Sequence, residues 1–213
     1  MGTALTELQA GHTYPALAEA YGRLLANLLL GHNGHPPGVV AVTSVEEGDG
    51  ATTTAVNLAK TIASSGARCL LVDGNLRRPE LHRLFDVDPR PGLADLLADP
   101  TTMGYAIRIT SVENLDLVAA GESAWPPQRL IDPRHLQRCF AELRQRYPYV
   151  VIDTPAVRRY PEALTFARTA DGVLLVIPGH GSSRQAQREA YMLLERVDAN
   201  VLGAVLNRVP QRP

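Results

Sequence analysis

The sequence predicts an α/β fold: a doubly wound, mainly parallel sheet with helices on both faces. Three observations predict it. Short, continuously apolar runs such as Val39–Val42, Leu70–Val72 and Val150–Ile152 alternate with helical patterns, as strands buried on both faces do. The run from Gly38 to Val42 leads into a glycine-bearing loop that opens a helical pattern. Four runs end in chemically capable groups, the Gly48–Thr54 loop, Asp73, Asp153 and Asn207, and ligands of such sheets bind at the carboxyl ends of the strands.

Composition sets the bounds. A length of 213 residues, 45% hydrophobic and 20% charged, fits one soluble globular domain with a sizeable core. A net charge of -1 leaves no electrostatic footprint for nucleic acid or an anionic membrane. No apolar stretch reaches the roughly 20 residues that span a bilayer. The start of the chain has no basic n-region, so no signal peptide is expected. Residues Met1 to Thr6 match a myristoylation pattern that is short enough to arise by chance. Cys69 and Cys139 form no CxxC pair; Cys69 sits in an apolar run, which fits core packing in a reducing cytosol.

In chain order, residues 1–14 read as a loose arm and 15–213 as a single domain. Ala16–Leu30 reads as a helix with an apolar stripe of Leu17, Tyr21, Leu24, Leu25, Leu28 and Leu29. Gly22 interrupts it at a cost of about 1 kcal/mol against Ala. Gly31–Gly38 is a breaker-rich linker; its His32 and His35 lack a Cys or carboxylate neighbour and read as solvated histidines, not a metal pair. A helix from about Thr52 carries Ala55, Val56, Leu58, Ala59 and Ile62. Arg68–Asp73 reads as the second strand, followed by helical pieces around Pro79–Phe85 and Gly92–Ala98 and a third strand over Leu115–Gly121. A helix from Asp132 or Pro133 to about Tyr147 precedes the fourth strand, Tyr149–Pro155. Then come a helix near Pro161–Thr169, a strand over Gly172–Ile177, a helix over Ser183–Val197 and a last strand, Val201–Leu206, ending in Asn207 and Arg208.

The Val42–Thr54 stretch has the order of a phosphate-binding loop. Amides at a helix start lack intrahelical partners, and the helix dipole favours an anion there. Gly48 and Gly50 permit the positive φ that lets a backbone approach a phosphate. Thr52 sits where such loops place a hydroxyl on Mg²⁺, but Ala51 stands where the signature has lysine. Asp73 and Asp153 could hold Mg²⁺ through hard oxygens, and either could instead cap the following helix.

These segments resemble the bacterial tyrosine kinases of capsule and exopolysaccharide export, a branch of the ParA/MinD-like P-loop ATPases, from about Ala18 to Val209. Leu70–Pro79 is similar to that family's second nucleotide motif, Tyr149–Pro155 to its Walker B strand and Gly203–Val209 to its last strand. The resemblance implies a P-loop NTPase-like fold that takes ATP or ADP with Mg²⁺. It places Thr52, Asp73 and Asp153 at the metal, and Gly48, Asp49, Gly50, Ala51, Thr52 and Thr53 at the nucleotide, with Asn207 and Arg208 receiving the base. Departures accompany it. Ala51 replaces the lysine, and Asn75 replaces the second aspartate of the Asp-x-Asp motif. The family's Glu-x-x-Arg-x-x-Arg ring-assembly pattern reads here as Glu19, Gly22 and Leu25, with Arg23 out of register. The family's tyrosine-rich tail does not follow Val209, which a shortened chain would explain by itself.

The expected function is therefore that of a catalytically degenerate, kinase-like regulatory or scaffold subunit of polysaccharide synthesis and export, with no intact catalytic set. It is expected in the cytoplasm, at the inner face of the membrane through the cytosolic part of a membrane polysaccharide co-polymerase, without a span of its own, without nucleic acid and without the family's ring. Nucleotide and Mg²⁺ are expected to bind weakly. The alternative is an active kinase or ATPase in which Arg77, Arg78, Arg158 or Arg159 replaces the lysine; a third reading is a ParA-like DNA-associated ATPase.

Overall fold

The structure, a computed structural model, describes residues 15–30, 38–122 and 126–209. Seven strands form one sheet: β1 (Val39–Ser44), β2 (Cys69–Asp73), β3 (Ile107–Ile109), β4 (Leu115–Val118), β5 (Tyr149–Asp153), β6 (Gly172–Pro178) and β7 (Val201–Asn207). Their order is β3-β4-β2-β5-β1-β6-β7, parallel throughout except for β3, which runs antiparallel to β4 at one edge. Every residue of β1 and β2 is buried, as continuous apolar runs require. Because β2, β5 and β1 are neighbours, their carboxyl ends meet: Asp73 is in register with Asp153, and Asp153 with Val42.

Helices cover both faces. On one, α1 (Pro15–Leu30) and α2 (Ala51–Ser64) bury Tyr21, Leu28, Val56, Leu58 and Ile62 against Val40, Val42, Leu71 and Val151. The stripe foreseen on α1 is only partly used, since Tyr21 and Leu28 are buried whereas Leu17 is 39% exposed. The short α3 (Leu81–Leu84) lies on this side as well. The opposite layer contains α4 (Leu93–Ala98), a 3₁₀ turn (Pro100–Thr102), α5 (Met103–Ala106), α6 (Pro127–Leu130), α7 (Pro133–Arg146), α8 (Pro161–Thr169) and α9 (Arg184–Arg196). There Phe140 and Phe166 are fully buried beside Val150 and Ile152.

The sequence pattern missed β3, the 3₁₀ turn, α5 and α6, segments of three or four residues too short to show a period. It also carried the third strand on to Gly121. The strand ends at Val118, because the carbonyls of Ala119 and Ala120 accept from Leu93 and Ala94 at the start of α4 instead of a strand partner. The N-terminal arm and the His32/His35 linker lie outside the described residues. Cys69 is a buried free thiol, as expected, and Cys139 is another.

Gly74 lets the ends of β2 and β5 close together: a Cβ there would stand 2.7 Å from the Asp153 carbonyl and 3.1 Å from Phe166. Gly74→Ala should therefore destabilise the protein by about 1–3 kcal/mol, the usual cost of overpacking, as read by urea denaturation; an unchanged midpoint would show that the two ends are not so constrained.

Candidate functional site

The loop between β1 and α2 is shaped by its own hydrogen bonds. The Glu46 amide donates to Asp49 Oδ2 at 2.7 Å, and Ser44 Oγ donates to the Glu46 carbonyl at 2.9 Å. Gly48 and Gly50 have φ of 83° and 102°, the left-handed region glycine enters at little cost. A Cβ at Gly50 would also lie 2.0 Å from Asn207 Nδ2. No side chain caps α2, and its first turn has no acidic residue. The Thr54 amide closes the first turn onto the Gly50 carbonyl at 2.9 Å. The amides of Ala51, Thr52 and Thr53 thus stand at a positive dipole end, suited to an external anion.

This loop forms one wall of a cleft of about 200 Å³. Asn75, Arg78 and Glu80 line it from the segment after β2, Thr154, Pro155, Ala156 and Tyr160 from that after β5, and Arg208 from that after β7. The sheet thus brings together all four strand ends singled out in the sequence.

Asp73 and Asp153 end the strands whose following segments line the cleft, and both are buried. Asp73 accepts from the amides of Asn75 (3.1 Å) and Leu81 (3.2 Å), which oppose the effect of burial. Burial still pushes its carboxyl up to about 7. Burial and then the neighbouring Asp73 charge push Asp153 well above the carboxylate range, while a hydrogen bond with the Thr52 side chain pulls the other way. Asp153 Oδ1 is buried without a hydrogen-bond partner. Two carboxyls side by side in low dielectric cannot both ionise cheaply, so without a cation the pair retains a proton near neutrality. An orphaned carboxylate oxygen beside a second carboxylate and a hydroxyl is a hard-oxygen donor set that fits Mg²⁺. Among the described residues there is no cluster of three or more acidic, His or Cys ligands, so a metal there would draw its remaining ligands from water or phosphate.

The other expected site residues are committed to partners within the protein. Asn207 does not present a free amide: Nδ2 donates to the Asp49 carbonyl at 2.9 Å, and Oδ1 accepts from the Arg208 amide at 2.9 Å. Arg208 Nη2 donates to the Gly48 carbonyl at 2.7 Å. Asn75 Oδ1 accepts from the Arg78 amide at 3.2 Å, which turns it into its own loop. Of the four arginines considered as lysine substitutes, only Arg78 lines the cleft. Arg77 forms a two-point pair with buried Glu162 and stacks 4.4 Å from the Tyr160 ring. Arg158 bridges Glu46 and Glu189 of α9, and Arg159 faces Glu47 at 3.7 Å.

Sequence reasoning missed Glu47, Glu80 and Tyr160. Tyr160 donates to Glu47 Oε1 at 2.6 Å; that bond and then Arg159 and Arg78 hold the Glu47 carboxyl below its ordinary value. The signal was present as Glu46-Glu47 in one strand-end loop and Arg158-Arg159 in another, but only the sheet order makes these loops neighbours.

The fold and this strand-end loop define a class, and comparison with known proteins agrees. Residues 38–198 match the AAA domain family model. Tyrosine-protein kinase YwqD of Bacillus subtilis is 30% identical over 79% of this chain and 71% of its own length. The crystal structure of the chimerical protein CapA2B2 superposes with a TM-score of 0.88 at 28% identity, covering 99% of this chain and 92% of that one. MinD from Pyrococcus horikoshii, solved in complex with Mg-ADP, gives a TM-score of 0.68 at 27% identity, covering 79% of this chain and 69% of its own. The chain belongs to the bacterial tyrosine-protein kinase family, on the P-loop NTPase fold that this family has in common with MinD.

The carboxyl pair carries a pH signature. The unfolded chain releases these protons near pH 4, whereas in the folded chain burial holds Asp73 up to about 7 and Asp153 well above the carboxylate range, so raising the pH across this window disfavours folding. With a chelator present, the wild type should lose stability relative to Asp153→Asn between pH 5 and pH 8, by on the order of a few kcal/mol. Urea titrations at the two pH values measure the difference; a wild type that gains on the variant would show that Asp153 ionises at ease in the fold.

Proposed function

We propose that this chain is a catalytically degenerate tyrosine-kinase-like protein that keeps a weak nucleotide site and serves as a regulatory or scaffold subunit in capsule or exopolysaccharide synthesis and export. The observation that carries this reading is Ala51: it is buried at the start of α2, where a phosphate loop has its lysine, while the amides around it remain in place. Asn75 adds to it, since an amide bonded into its own turn supplies no second carboxylate.

On this reading the residues retain binding and lose transfer. The first-turn amides of α2 hold phosphate oxygens; Thr52, Asp73 and Asp153 would hold Mg²⁺. When bound, that ion would neutralise phosphate charge and relieve the carboxyl pair. Phosphoryl transfer rests on positioning and on charge stabilisation, and both the lysine and the second motif aspartate that provide them are missing. The family relationship supports a partner in the export machinery: the cytosolic part of a membrane polysaccharide co-polymerase, which would hold the chain at the inner face of the membrane. No helix among the described residues is long and apolar enough to cross a membrane. Arg78, the substitute cation that does line the cleft, is the observation favouring an active ATP-dependent kinase or ATPase as the second reading.

Calorimetric titration tests the site. Mg-ADP should bind weakly, and Ala51→Lys should strengthen Mg-ATP binding by roughly ten- to hundred-fold, the value of one charge-assisted contact. The purified protein should form no phosphotyrosine from ATP; sustained formation that Asp153→Asn abolishes would establish the active reading instead.

The ring is likewise not expected. Gly22 is exposed on α1 with open space around its Cα, and Arg23 is turned to Glu19 at 3.6 Å, so arginines at 22 and 25 have no equivalent for gripping a neighbour. Light scattering at micromolar concentration should find no stable octamer.

A further inference from the structure

The loss of the loop lysine leaves a question of charge: which group, if any, faces the phosphates in its place. Among the described residues, two arginines line the cleft, Arg78 and Arg208. Arg78 is 67% exposed and directed at Glu47, 3.5 Å away. Arg208 is in a different situation. Its guanidinium donates to a neutral main-chain carbonyl, that of Gly48, and it makes no ion pair with a described carboxylate. A guanidinium has five donors in a rigid fork; the nearby Asp49 carboxylate meets part of its charge through space, but one carbonyl leaves most of those donors unanswered.

The position of Arg208 is fixed by the phosphate loop itself. Its backbone is left-handed, with φ of 56°, a conformation that residues other than glycine rarely adopt. The turn is held by Asn207, whose Oδ1 accepts the Arg208 amide while its Nδ2 grips the Asp49 carbonyl. Gly50 completes the contact, since any side chain there would collide with the Asn207 amide. Gly48, Asp49 and Gly50 each touch the end of β7, so loop and strand end form one unit, and the guanidinium is carried at the rim of the anion-binding amides.

We infer that Arg208 supplies the phosphate-facing positive charge that Ala51 cannot, holding the diphosphate group of a nucleotide against the first-turn amides of α2. The inference rests on the proposed nucleotide site and adds to it a specific residue in a role that the resemblance gives to base recognition. On binding, the guanidinium exchanges the Gly48 carbonyl for phosphate oxygens, an anionic acceptor that it can engage with two donors at once.

Calorimetry with Mg-ADP and with Mg-pyrophosphate separates the outcomes. Arg208→Ala should weaken both ligands by about tenfold or more, and Arg208→Lys by less. In an Ala51→Lys background the same Arg208→Ala change should cost only a few-fold, because the lysine then supplies the charge. Arg146→Ala, which removes an exposed arginine at the other end of the sheet, should change neither affinity; melting curves confirm that each variant is folded. Equal affinities for wild type and Arg208→Ala would overturn the inference and leave the nucleotide site standing. So would a loss confined to ADP, or a wild type that binds ADP but not pyrophosphate, since either puts Arg208 or the affinity on the nucleoside. A wild type that binds no nucleotide, whether or not Ala51→Lys does, would end both the inference and the proposed site.

Discussion

Two carboxyl groups meet where β2 and β5 end, and the rest of the site is arranged around them. Parallel pairing places Asp73 directly beside Asp153, and the helices on both faces remove the water that would screen them. Amides from Asn75 and Leu81 serve Asp73, but one oxygen of Asp153 has no partner. A domain whose net stability is on the order of 10 kcal/mol bears such a pair at appreciable cost. Relief can come from a retained proton or from a cation, and the two compete for the same oxygens. The strand ends are thus a site of stored electrostatic tension as well as a place where ligands can reach the sheet.

The same register explains why the sheet was legible in the sequence. Strands buried on both faces leave unbroken apolar runs, and each carboxylate that ends one marks a point where the chain leaves the core. Val72-Asp73 and Ile152-Asp153 show this change in two residues. The length of the third strand was not legible, because Ala119 and Ala120 are apolar whether their carbonyls face a strand or the start of α4. The edge strand β3 has three residues and an exposed Ile109, so neither length nor alternation announced it.

Side-chain commitments were the least legible part. Asn207 follows an apolar run just as Asp73 and Asp153 do, yet its amide is spent on tying down the loop. Arg158 and Arg159 stand next to a strand end, and one of them is drawn out of the cleft by Glu46 and Glu189. Choices of this kind depend on which loops the sheet order makes adjacent, and no local pattern encodes that. Glu46 and Glu47 belong to the phosphate loop in sequence, yet Arg158 and Tyr160, more than a hundred positions away, hydrogen-bond to them. Exposed pairs like these add little to stability; their effect is to fix the loop against the segment after β5.

The absence of lysine changes how metal and nucleotide would depend on each other. Glu47 and Glu80 line the cleft and Asp73 and Asp153 end the strands behind its lining, so four carboxyl groups belong to the region a phosphate would occupy. Loop amides and a helix terminus attract an anion, but they carry partial charges only, equivalent to about half an elementary charge at the terminus. With a lysine in the loop, part of the phosphate charge is met before any metal arrives. With Ala51, a metal would have to meet more of what Arg208 does not, and that metal would in turn relieve the carboxyl pair. Binding of either ligand would then raise the affinity for the other, and linkage would require the two effects to be equal. On the proposed reading, Ala51 would leave the phosphate charge to Arg208 and the metal, so that the nucleotide and its metal would depend on each other more than in a site that also holds a loop lysine.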